Sequence, residues 1–221
     1  MMFRQAREAV VETCVKLADM GYLAGTGGNL ALRVDPEHYL VTPSATDYYA
    51  METSDICVLR LADTRQIEGE KKPSVEAGMH ARVLAARPDC EASLHTHQPI
   101  ASAYALLAMV LEVQGSETAV LLGKTVPCVS YAPSGTGWLA KRVGKAFAGP
   151  NHACLMRNHG IVCVGVDIQQ AIDRVVALEV ACAEFFRLSL TTGSRLPASG
   201  TALIEQTLLP ISQKLKETGE E

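Results

Sequence analysis

Ala92-Ser93-Leu94-His95-Thr96-His97 reads as a β-strand that closes on two histidines. Alternate residues of a strand share a face, so the imidazoles of His95 and His97 emerge side by side. That geometry suits two ligands of a tetrahedral or five-coordinate metal, and equally a hydrogen-bonded or surface pair. A distant segment bears on the choice. Cys154-Leu155-Met156-Arg157-Asn158 and Ile161-Val162-Cys163-Val164-Gly165 flank His159-Gly160 as two strands of a hairpin. The glycine permits tight backbone there, so the His159 ring can turn toward a cleft; taken alone, it is a hairpin-turn histidine. Three neutral nitrogens on one divalent ion would leave an open position, the mark of a catalytic rather than a structural zinc site.

The neighbouring segments supply a frame. Residues 3–20 place Phe3, Ala6, Val10, Cys14, Leu17 and Ala18 near one helical face, with Gly21 as a stop. Strands are expected at 30–34, 39–42, 56–61 and 126–131, and helices from a Ser74 cap to Ala86, after Gln98-Pro99, and at 137–148. Asp167 with Gln170 makes a capping-box-like start to a long amphipathic helix. A weak helix is expected near 202–216, in a tail spanning 192–221. The chain shows no repeat and no linker, so a single domain over 1–221 is expected. Short strands in hairpin-like succession, interleaved with helices, favour an α/β (α+β) domain around a mainly antiparallel sheet.

At 221 residues, 48% hydrophobic and 20% charged, the chain can bury a substantial core. Its net charge of −4 argues against nucleic acid or an anionic membrane as partner, although a metal and a few amides could still bind an anionic substrate. Neither a signal peptide nor an apolar run long enough for a span is read. The seven cysteines are scattered, mostly in apolar runs, and form no Cys-X-X-Cys pair, which is the pattern of buried reduced thiols in a cytoplasmic protein.

Glu76, in Lys72-Pro73-Ser74-Val75-Glu76, lies at a helix start, where a carboxylate often serves only as a dipole partner. Beside a metal it becomes a ligand or a general base. His80, one turn on, could support the site from behind, but an ordinary helical histidine is the preferred reading. Three small-residue segments could hold an oxyanion on backbone amides: Gly25-Thr26-Gly27-Gly28-Asn29, Thr42-Pro43-Ser44-Ala45 and the start at Ser74. The first is neither a P-loop nor a dinucleotide fingerprint.

In their order along the chain, Gly25–Asn29, Val41-Thr42-Pro43-Ser44, Lys72–Glu76, Leu94–His97, Pro127–Tyr131 and Asn158–Gly160 together resemble the class II aldolase/adducin family, most closely its L-fuculose-1-phosphate aldolase branch. The resemblance runs from about residue 5 to 190. It implies a three-layer α/β/α sandwich, with Zn²⁺ (or Mn²⁺ or Co²⁺) on His95, His97 and His159. Glu76 is implied as a ligand that moves aside to act as acid and base, and a phosphate cradle is implied at Gly28, Asn29, Ser44, Ala45, Ser74 and Val75. It further implies a phosphorylated sugar as substrate and a homotetramer with active sites at subunit interfaces. The activity implied is cleavage of a ketose 1-phosphate, such as L-fuculose 1-phosphate, 5-deoxyribulose 1-phosphate or 5-methylthioribulose 1-phosphate, to dihydroxyacetone phosphate and an aldehyde through a metal-stabilised enediolate. Ribulose-phosphate 4-epimerases, methylthioribulose-1-phosphate dehydratases and sugar-acid phosphate decarboxylases share the scaffold, and adducin-like heads use it for assembly. This chain departs from the aldolase pattern at Val75, where a second serine is common, and at Ala45, where glycine is usual. It also has no tyrosine between Tyr104 and Tyr131 or after Tyr131, where the fuculose enzyme has catalytic ones; Glu117 stands in the first of these regions and is the candidate replacement.

Overall fold

The structure is a computed structural model that describes residues 2–23 and 25–192. The tail helix expected near 202–216 lies outside the described residues. The chain divides into two compact units, Met1–Cys182 and Ala183–Glu221.

Helix α1 (Arg4–Asp19) turns Val10, Cys14 and Leu17 inward and stops before Gly21, whose φ of +72° is the left-handed turn that glycine tolerates. Strands β1 (Asn29–Arg33), β2 (His38–Val41), β3 (Cys57–Arg60) and β4 (Gln66–Glu68) form a meander. After α2 (Ala77–Ala86) come β5 (Ala92–Thr96) and α3 (Pro99–Leu106). They are followed by β6 (Leu111–Glu112), α4 (Ser116–Leu122), β7 (Thr125–Val126), β8 (Cys128–Val129) and α5 (Gly137–Ala146). The hairpin of β9 (Ala153–Met156) and β10 (Gly160–Gly165) then leads into α6 (Ile168–Thr192).

Eight strands make one sheet in the order β4-β3-β2-β1-β5-β10-β9-β8, antiparallel throughout except for β8 beside β9. Strand β5 is central, and its His95 is in register with Asn29 of β1 on one side and Val162 of β10 on the other. Alternation along the strands separates two apolar faces. Ala31, Tyr39, Val41, Cys57 and Leu59 pack on Ala77, Ala81 and Leu84 of α2. Cys154, Met156, Val162 and Val164 pack on Met79 and Val83 of α2 and on Leu139 and Val143 of α5. The opposite set, including Leu30, Leu40, Leu94 and Ile161, is fully buried on the face that α1 and α3 cover. Helix α6 is tied to the exit of β5 by the Gln98 amide, which donates to Val175 O, and to β10 by Arg174, which donates to Val164 O. This is the three-layer arrangement expected. Among the described residues no helix is long and apolar enough to cross a membrane. All seven cysteines are unpaired, and six of them are buried.

Two expectations needed adjustment. The helix after Ser74 begins at Ala77, with Glu76 at its N-cap. Ser74 is held back because its N–H bonds Thr42 O across an isolated bridge between Pro43 and Pro73, so its hydroxyl closes a turn onto Glu76 N instead of capping the helix. The strand expected at 126–131 is split at Pro127, which has no N–H to give a ladder, and its halves join different sheets. Elements β4, β6 and α4 are too short to leave a period in the sequence.

The β5 exit is fastened from α6. Glu179, 8% exposed, accepts the N–H groups of Ile100 and Ala101 at 2.8 Å each, satisfying two amides of the first turn of α3. Replacing Glu179 by Ala orphans both. We expect the Glu179→Ala variant to lose about 1–3 kcal/mol in urea denaturation, the cost of unsatisfied buried donors; an unchanged midpoint would show that the clamp is idle.

Candidate metal centre

Strand β5 delivers His95 at its last full register position, fully buried. His97 follows one residue beyond the strand, and its backbone N–H is fastened to Tyr22 O at 3.0 Å. His159 arrives from the tight turn between β9 and β10, where Asn158 adopts a left-handed φ of +57° and His159 N bonds Met156 O. Asparagine tolerates that conformation better than most residues. The three histidines, up to 64 residues apart in the sequence, bring their ligand nitrogens within 4.8 Å of one another. His97 Nε2 lies 2.9 Å from His95 Nε2.

Glu76 completes the cluster from the N-cap of α2. Its Oε2 lies 3.3 Å from His95 Nε2 and its Oε1 3.3 Å from His159 Nε2. Asn29 Nδ2 donates to Oε2 at 2.8 Å, and the Ser134 hydroxyl donates to Oε1 at 2.9 Å. Burial pushes the Glu76 pKa up, but the neighbouring His95 and His159 rings and the hydrogen bonds from Asn29 and Ser134 outweigh it, holding the carboxyl well below its usual range. Burial lowers the pKa of His95 and, with His159 as neighbour, that of His97. His95 and His97 are therefore neutral and the Glu76 carboxylate charged near pH 7.

Tautomers follow from the partners. His95 Nδ1 faces Ile161 O at 2.8 Å, and a carbonyl only accepts, so Nδ1 carries the proton and Nε2 turns a bare lone pair to the centre. The bare His95 Nε2 and the anionic carboxylate thus face one point, with His97 Nε2 and His159 Nε2 beside them. Acceptors meeting without donors are what a cation satisfies, and imidazole nitrogens bind zinc at about 2.0–2.1 Å, so the residues present fit a divalent metal.

Gly160 makes this approach possible. A Cβ there would stand 2.5 Å from Thr96 O and 2.6 Å from His97 Cδ2, so what the turn requires of this glycine is space. Gly28 has both reasons: a φ of +87°, and a Cβ that would lie 2.8 Å from His95 O and overlap Leu23. Tyr48 pins that loop, its hydroxyl donating to Gly28 O at 2.6 Å.

The segments expected to hold phosphate lie at the same end of the sheet. Ser44 N bonds Lys72 O and Ser74 N bonds Thr42 O, zipping two of the loops together. Among the described residues the amides of Ala45 and Val75 take no hydrogen-bond partner. Ala45 sits at φ +51°, a left-handed conformation that glycine would adopt without strain. The Asn29 side chain is committed to Glu76 and His80. Glu117 stands exposed in the first turn of α4 and, among the described residues, shares none of the bonds that join the cluster. Reading the sequence overlooked Ser134 and Tyr48, whose hydroxyls act across long separations and follow no motif.

Fold and site together define a metal-dependent α/β enzyme. The chain belongs to the class II aldolase and adducin N-terminal domain family, whose pattern matches residues 8–185. It is similar to the 5-deoxy-D-ribulose 1-phosphate aldolase of Bacillus thuringiensis serovar kurstaki, at 34% identity over 87% of this chain and 89% of that one. It is similar also to the 5-methylthioribulose-1-phosphate/5-deoxyribulose-1-phosphate aldolase of Rhodospirillum rubrum, at 29% identity over 87% and 86%. Among solved structures, an L-fuculose 1-phosphate aldolase superimposes with a TM-score of 0.80 at 30% identity, covering 94% of this chain and 98% of the other. This chain is a class II aldolase of the fuculose-phosphate and deoxyribulose-phosphate kind.

Two outcomes test the centre. Gly160→Ala, which drives a methyl into the His95 and His97 rings, is expected to weaken zinc binding at least tenfold in a chelator-competition titration, within the range seen when ligand orientation is lost. The second concerns pH. His80, fully buried, has its pKa lowered by burial to about 4. The unfolded chain binds its proton near 6.5, so stability of the metal-free fold falls as pH drops from about 6.5 toward 4 and is flat in this group above that window. Urea midpoints that do not move between pH 7 and pH 5 would contradict a neutral, buried His80.

Proposed function

We propose that this protein is a zinc-dependent class II aldolase that cleaves a ketose 1-phosphate to dihydroxyacetone phosphate and an aldehyde, with L-fuculose 1-phosphate, 5-deoxyribulose 1-phosphate and 5-methylthioribulose 1-phosphate as the substrate class. The observation that carries this reading is the convergence of three imidazoles on one ionised, doubly hydrogen-bonded carboxylate. His95, His97 and His159 would hold the ion, with Glu76 as the fourth group. When bound, a divalent ion supplies positive charge opposite the substrate oxygens on which the electron pair of the broken C3–C4 bond is delocalised.

The remaining work falls to the chain. The amides of Ala45 and Val75, with Gly28, Asn29, Ser44 and Ser74 around them, would seat the phosphate and so place C3 beside Glu76. Cleavage removes the C4 hydroxyl proton and leaves a carbon at C3 that must take one up. Glu117 would take the C4 hydroxyl proton and release it to solvent, and Glu76, protonated from solvent once substrate has displaced it, would deliver one to C3 and in the condensation direction remove it. Held by Asn29 and Ser134, the carboxylate is too acidic to keep a proton. Swinging away from those donors and from the imidazoles removes what lowers its pKa, so displacement by substrate turns it into a competent base. His97 and His159 are half-buried, which leaves the open side of the cluster facing them.

Glu117 is the group we assign to the aldehyde oxygen, in place of the family tyrosine. Its exposure on α4 suits a role in the site of a neighbouring subunit of a homotetramer. Val75 and Trp138, 65% and 72% exposed beside Glu76 and Ser134 in the sequence, are apolar surface that such a boundary would cover. Seven unpaired thiols suit a reducing cytoplasm.

The deciding experiment supplies zinc and a panel of ketose 1-phosphates to the purified chain and identifies products by mass spectrometry. Dihydroxyacetone phosphate with an aldehyde is the expected result. Conserved mass would indicate epimerisation, loss of one water dehydration, and loss of carbon dioxide from a sugar acid decarboxylation; any of these alone would replace the aldolase reading. Glu76→Gln should retain zinc and lose about 10²–10⁴-fold in kcat, the usual worth of a positioned general base.

A further inference from the structure

Behind Glu76 runs a buried chain of hydrogen bonds of which only the first, from Asn29, enters the steps above. Asn29 Nδ2 donates to Glu76 Oε2 at 2.8 Å, Asn29 Oδ1 lies 2.6 Å from His80 Nε2, and His80 Nδ1 lies 2.7 Å from Ser93 Oγ. His80 and Ser93 are fully buried, and Asn29 is 7% exposed. Ser93 lies two residues before His95 on β5, hence on the same face of the strand, and His80 lies one turn beyond Glu76 on α2. The relay therefore links the helix carrying the carboxylate to the strand carrying the first imidazole, by way of β1.

Its polarity is determined from one end. An ionised carboxylate only accepts, so Asn29 must turn its NH₂ to Glu76 and its carbonyl to His80. A carbonyl also only accepts, so His80 must carry its proton on Nε2. Nδ1 is then an acceptor, and the Ser93 hydroxyl donates to it. Every member has one orientation, and the one that decides the others is the Asn29 amide, whose two ends are nearly equal in size. Without a donor at the His80 position, the amide would be free to flip and present oxygen to oxygen at Glu76.

We infer that His80 is a positioning residue of this enzyme: by donating Nε2–H to Asn29 it keeps the amide NH₂ on Glu76 and so holds the carboxylate against the histidine cluster. This rests on the assignment of Glu76 above. It revises the plain reading of His80 as a helical histidine with no part in the site.

The test compares full-length His80→Leu, which removes the donor, with His80→Gln, whose amide N–H can stand where Nε2–H stood. Three quantities are measured for each: kcat and KM on the best ketose 1-phosphate, zinc affinity by chelator competition, and the urea midpoint. His80→Leu should lose about 10–100-fold in kcat and in zinc affinity, with KM changed by less than about threefold, as for other residues that orient a metal ligand. His80→Gln should recover most of both losses. A merely structural role predicts instead that losses follow the urea midpoint in both variants, and that result overturns the inference, as does a His80→Leu enzyme with wild-type kcat and zinc affinity. Should the wild-type chain turn over no sugar phosphate, the aldolase reading fails. The zinc titration still decides on His80: weakened binding in His80→Leu restored in His80→Gln upholds it, and equal binding in both variants and wild type refutes it.

Discussion

Three imidazoles and a carboxylate crowd together across a few ångströms of protein interior, and everything around them is arranged to make that tolerable. Electron-pair acceptors in such proximity repel unless positive charge lies between them. The chain does not spread the repulsion out by exposing the groups. It buries His95 and Glu76 outright and fixes each by bonds from behind: Ile161 O to His95, Asn29 and Ser134 to Glu76. A buried charge that is hydrogen-bonded on both oxygens is no longer a liability to the fold, while remaining available to a cation. Function is therefore written into the second set of contacts as much as into the ligands.

The placement of the cluster follows from the sheet. Strand β5 is paired on both sides, so its end is among the stiffest points of the molecule, and the adjacent strands present what the site needs at the same level: Asn29 from β1 and the His159 turn from β10. Beyond the strand, the chain would be free to fray at His97. It is instead fastened at every step. His97 N bonds Tyr22 O, the Thr96 hydroxyl bonds the Gln98 side chain, Gln98 bonds Val175 O, and Glu179 takes the first amides of α3. Helix α6 thus acts as a back plate for the segment that carries His97.

The features legible in the sequence were those with a short-range signature. A two-residue alternation put His95 and His97 on one face, a histidine followed by glycine marked the hairpin turn, and ordered motifs tied both to Glu76. The role of Gly160 was only half visible, because what matters there is the bulk of His95 and His97, residues more than sixty positions away. Ser134 and Tyr48 were out of reach for the same reason, and His80 was legible only as a possible support behind the site. Serine, tyrosine and a helical histidine are common in every fold, and their meaning here comes from partners 58, 20 and 51 residues distant. The late start of α2 has a similar origin: Ser74 has the chemistry of a cap, but a bridge between two prolines, formed only in the folded sheet, holds it out of the helix.

That late start has a consequence for the chemistry. Had Ser74 capped the helix, Glu76 would lie inside the first turn, its backbone helical and its side chain directed along the helix surface. At the N-cap, with φ −100° and ψ 10°, its backbone is not yet helical, and its side chain makes no capping bond. The carboxylate is thus spared the usual local partner and turns to Asn29, Ser134 and the imidazoles. A group expected to leave its resting place during each turnover is better hung on long-range hydrogen bonds, each worth about 1.5–3 kcal/mol when one partner is charged, than locked into helix geometry. Those bonds could be broken one at a time without unwinding α2, so the fold would keep its shape if that side chain moved.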